Sequence, residues 1–225
     1  MIGRPVADPR TGRPGSGVGL GISPLSLLIS KRAVVAFTAV LRNSKRPRVA
    51  PVVESGDAAT AAALAELGPP IALFGVFARR PDRAHAIAQW GRYYLSRRVA
   101  LTLRHRELII DRTTALCRAD YEWGIHVAAF ADKAGLTGIQ IASLATGQPT
   151  DRCWNAPVDV AVLQAVDELH STCDLRDETW EELVAAIGEE GAVDLILIAG
   201  WYHAISFAVR ALRLTQEPDT PRLAS

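Results

Sequence analysis

Residues 103–144 read LRHRELIIDRTTALCRADYEWGIHVAAFADKAGLTGIQIASL. Thr102 stands before this stretch as a helix cap. Leu103, Glu107, Ile110 and Thr114 recur at the three- and four-residue spacing of one helix face, flanked by Leu108, Ile109 and Leu116. The pattern breaks at Cys117–Asp120 and resumes over Tyr121–Ala134. Gly135 provides a C′ stop, and Thr137 caps a further helix to about Ala145. The stretch predicts three consecutive helices, with the break folding the first back on the second.

The same period continues outward. Ser55-Gly56-Asp57 offers caps before Ala58–Leu67, and Gly68-Pro69-Pro70 stops that run. Ile71–Ala78 reads as a short apolar helix, and Pro81 opens Asp82–Leu95. Downstream, Pro157 opens a helix through His170, Asp177-Glu178-Thr179 starts Trp180–Ile187, and Ala192–Leu212 is apolar nearly all round. The last pattern predicts a buried helix, either central to the fold or sealed by a neighbouring subunit. No segment alternates with period two, so the fold class is all-α, with about eight helices.

Charge divides the chain. Residues 1–48 carry nine Lys/Arg and one acid, a charge of +8, whereas residues 49–225 carry 16 basic and 23 acidic side chains, a charge of −7. Residues 1–48 are expected to be a basic, disordered extension, 49–214 the helical domain, and 215–225 a tail. The acidic body argues against a nucleic-acid partner, which would need clustered Lys/Arg. Lys31 and Arg32 divide the apolar segments of the leader, each too short to span a bilayer, so no membrane association is expected. Three cysteines, Cys117, Cys153 and Cys173, leave an odd thiol and suit a reducing, cytoplasmic setting. They are too few and too widely spaced for a closed zinc site, and the His-x₃-His pair of zinc proteases is absent, so no metal is expected.

The densest polar set in apolar surroundings is Glu107, Glu122, His126 and His203. Glu122 and His126 are four apart on one helix and share a face. A carboxylate beside an imidazole orients it, fixes its tautomer and raises its pKa, as proton transfer requires. The competing reading is a surface ion pair, with His203 a satisfied core histidine. His85, His105 and His170 read as solvent-side or helix-end residues.

Residues 103–144, together with AVDELHSTCDLRDETWEELVAAIGEEGAVDLILIAGWYHAISFAVRAL at 165–212, resemble the carboxymuconolactone decarboxylase-like family, which includes the alkylhydroperoxidase D-type proteins. The shared features are R-E-L-x-I, a turn, then Y-E-W-x-x-H and a helix running to A-G-L. The resemblance covers about residues 49–214 and implies an all-helical fold assembling as trimers or hexamers, with the site near a subunit interface. The peroxidase branch resembles Glu-x₁₁-Cys-x-x-Cys-x₃-His. Counted from Glu107, the cysteine positions hold Ala119 and Glu122, while the histidine is His126. Both redox cysteines are missing, and a thiol cycle needs a reactive and a resolving thiol.

The decarboxylase branch therefore fits better. It implies a cofactor-free lyase for a small cyclic or carboxylated compound, with Glu107, Glu122 and His126 catalytic. Tyr121, Trp123, Arg112 and His203 are the expected substrate-binding residues. Two alternatives stand beside it: a peroxiredoxin-like oxidoreductase using Cys117, and a non-catalytic binding subunit of the same fold.

Overall fold

The computed structural model describes residues 46–223; expectations about residues 1–45 fall outside them. The described residues form eight helices and no strand: α1 Ala58–Leu67, α2 Ala72–Phe77, α3 Pro81–Tyr94, α4 Leu103–Leu116, α5 Asp120–Phe130, α6 Gly138–Thr146, α7 Pro157–Thr172 and α8 Asp177–Ala211. The expected all-α class is the observed one.

Local chemistry sets the helix ends. Thr102 Oγ1 accepts from the His105 amide at 3.1 Å, and Thr137 and Gln140 form a reciprocal capping box on α6. Pro81 and Pro157 occupy first-turn positions, where a missing N–H costs nothing. At the end of α4, the Arg118 amide donates to Ala115 O and the Ala119 amide to Thr114 O, with Arg118 at φ 54°. These are the two bonds of a Schellman stop, and they turn the chain directly into α5. α5 closes at Phe130, earlier than the expected Ala134, and turns lead on to Gly135. The two helices expected at 180–187 and 192–212 form one element, α8, interrupted at Gly188. Its φ of 75° and ψ of 166° suit glycine alone, and the helix kinks there.

The main core joins Leu108, Ile109 and Ile110 of α4 to Val162, Leu163 and Val166 of α7 and Leu195, Ile198 and Ala199 of α8. A smaller cluster gathers Leu73 and Phe77 of α2, Tyr121 of α5, and Ile205 and Val209 of α8. The central helix is α4, buried without a break from Arg106 to Ala115. Of the two placements expected for the apolar last helix, the central one is taken by α4. α8 buries one face and exposes Val193, Ile196, Leu197 and Phe207. It is long and apolar enough to cross a membrane, but 50% of its apolar window is buried inside the domain, as in a core helix.

The chain ends of the described region lie against the helices. The Arg48 amide donates to Leu212 O at 2.9 Å. Residues 216–223, within the expected tail, form a strap across the start of α5: Gln216 Nε2 donates to Asp120 O at 3.3 Å, and the Leu223 amide to Asp120 Oδ1 at 2.6 Å. Glu217 Oε1 accepts from the Ala72 amide at 2.6 Å and from the Tyr121 hydroxyl. Gly124 makes this approach possible, since a Cβ there would collide with Gln216 and Pro221.

Removing the Glu217 carboxylate strands two donors, one of them the hydroxyl of the buried Tyr121. Glu217→Ala is expected to lower unfolding free energy by about 1–3 kcal/mol in urea denaturation. An unchanged midpoint would show that the strap contributes nothing.

Candidate proton-transfer site

Glu107 sits in the second turn of α4, and His126 two turns into α5. The Schellman turn lays the two helices against each other. His126 Nδ1 lies 2.9 Å from Glu107 Oε2. Its Nε2 lies 3.0 Å from the Tyr202 hydroxyl of α8 and 3.6 Å from Glu122 Oε1. Arg106 Nε donates to the other Glu107 oxygen at 3.0 Å, and its guanidinium stands over the Phe130 ring at 5.8 Å. Glu107, Glu122, His126 and Tyr202 are all buried, with Glu107 at 0% exposure. Three helices thus converge on one imidazole.

A buried group changes protonation according to its partners. Burial by itself lowers the pKa of His126, but the charge of Glu107 and its hydrogen bond, reinforced by Glu122, outweigh this and push it up to about 10. His126 is therefore an imidazolium at neutral pH. Its Nδ1–H donates to Glu107 and its Nε2–H to the Tyr202 oxygen. Asp111, one turn after Glu107 and fully buried, is pushed well above the usual carboxylate range by burial and then by the Glu107 charge. Tyr202 is raised well above its ordinary value by burial, then by Glu122 and Glu107, and keeps its proton. Neither Asp111 oxygen has a hydrogen-bond partner among the described residues, nor does Glu122 Oε2. The arrangement presents a charged acid at Nε2 beside an acceptor, Glu122, which is what donating and recovering a proton requires.

The other expected site residues lie elsewhere. Arg112 is locked in a two-pronged pair with Asp167 of α7, at 2.6 and 2.7 Å, and also donates to Leu144 O at 3.1 Å. The structure places it between α4, α6 and α7 as a clamp. The Tyr121 hydroxyl is engaged by Glu217 and by the Leu73 amide, and Trp123 is buried in α5. His203 does not join Glu107, Glu122 and His126. Its Nε2 meets His170 Nδ1 at 2.9 Å, and Cys117 lies on the same side. Sequence reading missed Tyr202, Asp111 and Arg106. Arg106 and Asp111 were visible as neighbours of Glu107 on one helix. Tyr202 adjoins His203, but successive residues on a helix point about 100° apart, and only the crossing angle of α8 decides which faces His126.

Because the folded pKa of His126 lies above its ordinary 6.5, its stabilising effect is complete below about pH 6.5 and is lost as pH rises through about 10. Imidazole ¹⁵N shifts are expected to report a protonated His126 at pH 7 that titrates only in the alkaline range. A neutral ring at pH 7 would overturn the charge assignment.

No family model matches the chain, and no curated protein matches it. Among solved structures, an uncharacterized peroxidase-related protein from Silicibacter sp. TM1040 superimposes with a TM-score of 0.65. The match covers 80% of this chain and 96% of the other at 13% identity. At that identity the likeness shows the fold alone: the two chains share one helical fold.

Proposed function

We propose that this protein is an enzyme of the carboxymuconolactone decarboxylase-like group, carrying out acid/base chemistry of the decarboxylation type on a small cyclic or carboxylated compound. The observation that carries the proposal is the buried imidazolium of His126, held by Glu107 and facing Glu122 and Tyr202. Loss of CO₂ from a conjugated carboxylate leaves an electron pair delocalised into the substrate. That pair takes a proton at carbon, and His126 Nε2–H is the acid that delivers it. Glu107 keeps the ring oriented and charged, and Glu122 stabilises the returning proton. In this reading Arg106, which meets Glu107 through Nε, offers its terminal nitrogens to a substrate carboxylate, whereas Arg112 is held by Asp167 through both Nε and Nη2. The peroxiredoxin-like alternative is less well supported. Ala119 and Glu122 occupy the two cysteine positions, and Cys117 lies outside the His126 set.

The proposal includes a homo-oligomer, trimer or hexamer. Val193, Ile196, Leu197 and Phe207 form an exposed apolar row on α8, with Phe207 66% exposed. A second copy covering this row would bury it, in keeping with the subunit-interface site that the family resemblance implies.

Supplied with candidate carboxylated lactones, the full chain is expected to release CO₂. His126→Ala should cut kcat by about 10²–10⁴-fold, and Glu122→Gln should lower kcat more than it alters KM. Activity unchanged in His126→Ala would remove that residue from the mechanism. Light scattering is expected to give a trimer or hexamer that Phe207→Glu dissociates; a monomeric wild type would refute the assembly.

A further inference from the structure

A second cluster lies on the other side of α8. Cys117 caps the end of α4, His170 sits in the last turn of α7, and His203 lies in α8. The Cys117 sulfur and one nitrogen from each histidine all lie within 4.8 Å of one another. Cys117 is buried, and the histidines are half-buried, so the cluster is reachable from the surface. None of the three belongs to the His126 set.

The tautomers are set by the neighbours. His203 Nδ1 lies 2.8 Å from Ala199 O, an atom that only accepts, so Nδ1 carries the proton and Nε2 presents its lone pair. A backbone carbonyl that fixes the far ring nitrogen is the usual support of a metal-bound histidine. The Cys117 backbone is pinned by Arg210, whose Nη1 donates to Cys117 O at 2.7 Å. All three donors thus stand on helices or a helix cap rather than on mobile loops.

We propose that Cys117, His170 and His203 bind a borderline-soft divalent transition-metal ion, Zn²⁺ first, through one thiolate and two neutral imidazoles. Sulfur and imidazole nitrogen select this class over Mg²⁺ or Ca²⁺, which require oxygen donors. Two nitrogens at tetrahedral Zn–N bonds of about 2.05 Å stand about 3.3 Å apart. His170 Nδ1 and His203 Nε2, now 2.9 Å apart, need separate by only a few tenths of an ångström. On binding, the Cys117 thiol loses its proton to solvent, His170 carries its proton on Nε2, and the Nδ1 lone pair turns to the metal. Three protein ligands leave a fourth position for water or an exogenous group. Such a site is open rather than closed, so it does not need the further cysteines that the sequence lacks.

The test uses the full, untagged chain and Co²⁺ as a coloured substitute for Zn²⁺. One Co²⁺ per chain is expected, with a thiolate charge-transfer band in the near ultraviolet that an equivalent of Zn²⁺ displaces. Cys117→Ser should abolish the band, and His203→Gln and His170→Gln should each weaken binding at least tenfold. Circular dichroism shows whether each variant is folded, and half-buried His170 offers the least disruptive substitution. Glu122→Gln should bind as the wild type does, which separates this site from the His126 set. The proposal is overturned by the absence of Co²⁺ and Zn²⁺ binding at micromolar metal. It is equally overturned by binding without a thiolate band, or by a band that survives both histidine variants. Every readout is metal binding rather than turnover, so the result is independent of the acid/base activity.

Discussion

The buried charges of α4 are the constraint around which the domain is arranged. Arg106, Glu107, Asp111 and Arg112 lie in the most enclosed helix of the structure. An isolated ion in such surroundings is strongly disfavoured, so each needs a partner from outside or must lose its charge. Glu107 takes Arg106 beside it and His126 from α5. Arg112 takes Asp167 from α7 together with the Leu144 carbonyl of α6. Asp111 is pushed toward its neutral form. The pairings bind three helices to α4, and the Glu107 charge that needs a partner keeps His126 protonated against the opposing effect of burial. Core architecture and the proposed chemistry therefore share one cause.

That constraint also explains where hydropathy misleads. The segment RHRELIIDRTT at 104–114 is rich in charge, while Ala192–Leu212 is nearly uniform in apolar residues. Hydropathy ranks the second as the buried helix, yet the structure encloses the first and leaves a row of the second exposed. Charged side chains can enter a core when every charge is met by another, and that condition depends on pairs between helices. An apolar side chain stays exposed where none of the described elements covers it.

α8 separates two polar groupings by one residue of its sequence. Tyr202 faces His126 and completes the hydrogen bonding at Nε2. His203 turns instead to His170 and Cys117. One helix thereby forms a wall of a proton-transfer cluster on one side and of a thiol–imidazole cluster on the other. The cysteine, absent from both positions that a dithiol peroxidase motif would fill, lies at the cap of α4, where α7 and α8 bring the imidazoles to it.

The sequence by itself determined the helices and singled out Glu107, Glu122 and His126 as one candidate set. Caps, prolines and apolar spacing act within a few residues, and the i, i+4 spacing puts Glu122 and His126 on one helix face. Even the break in the last helix was legible, as two separate apolar patterns on either side of Gly188. Only the tertiary structure decided that Arg112 faces Asp167, 55 positions away. It also decided that Tyr202 rather than His203 reaches His126, and that His170 leaves the solvent side to meet His203 and Cys117. Those choices are set by how helices cross and by the cost of leaving a buried charge unpaired. Both involve residues far apart in the chain, so no local pattern records them.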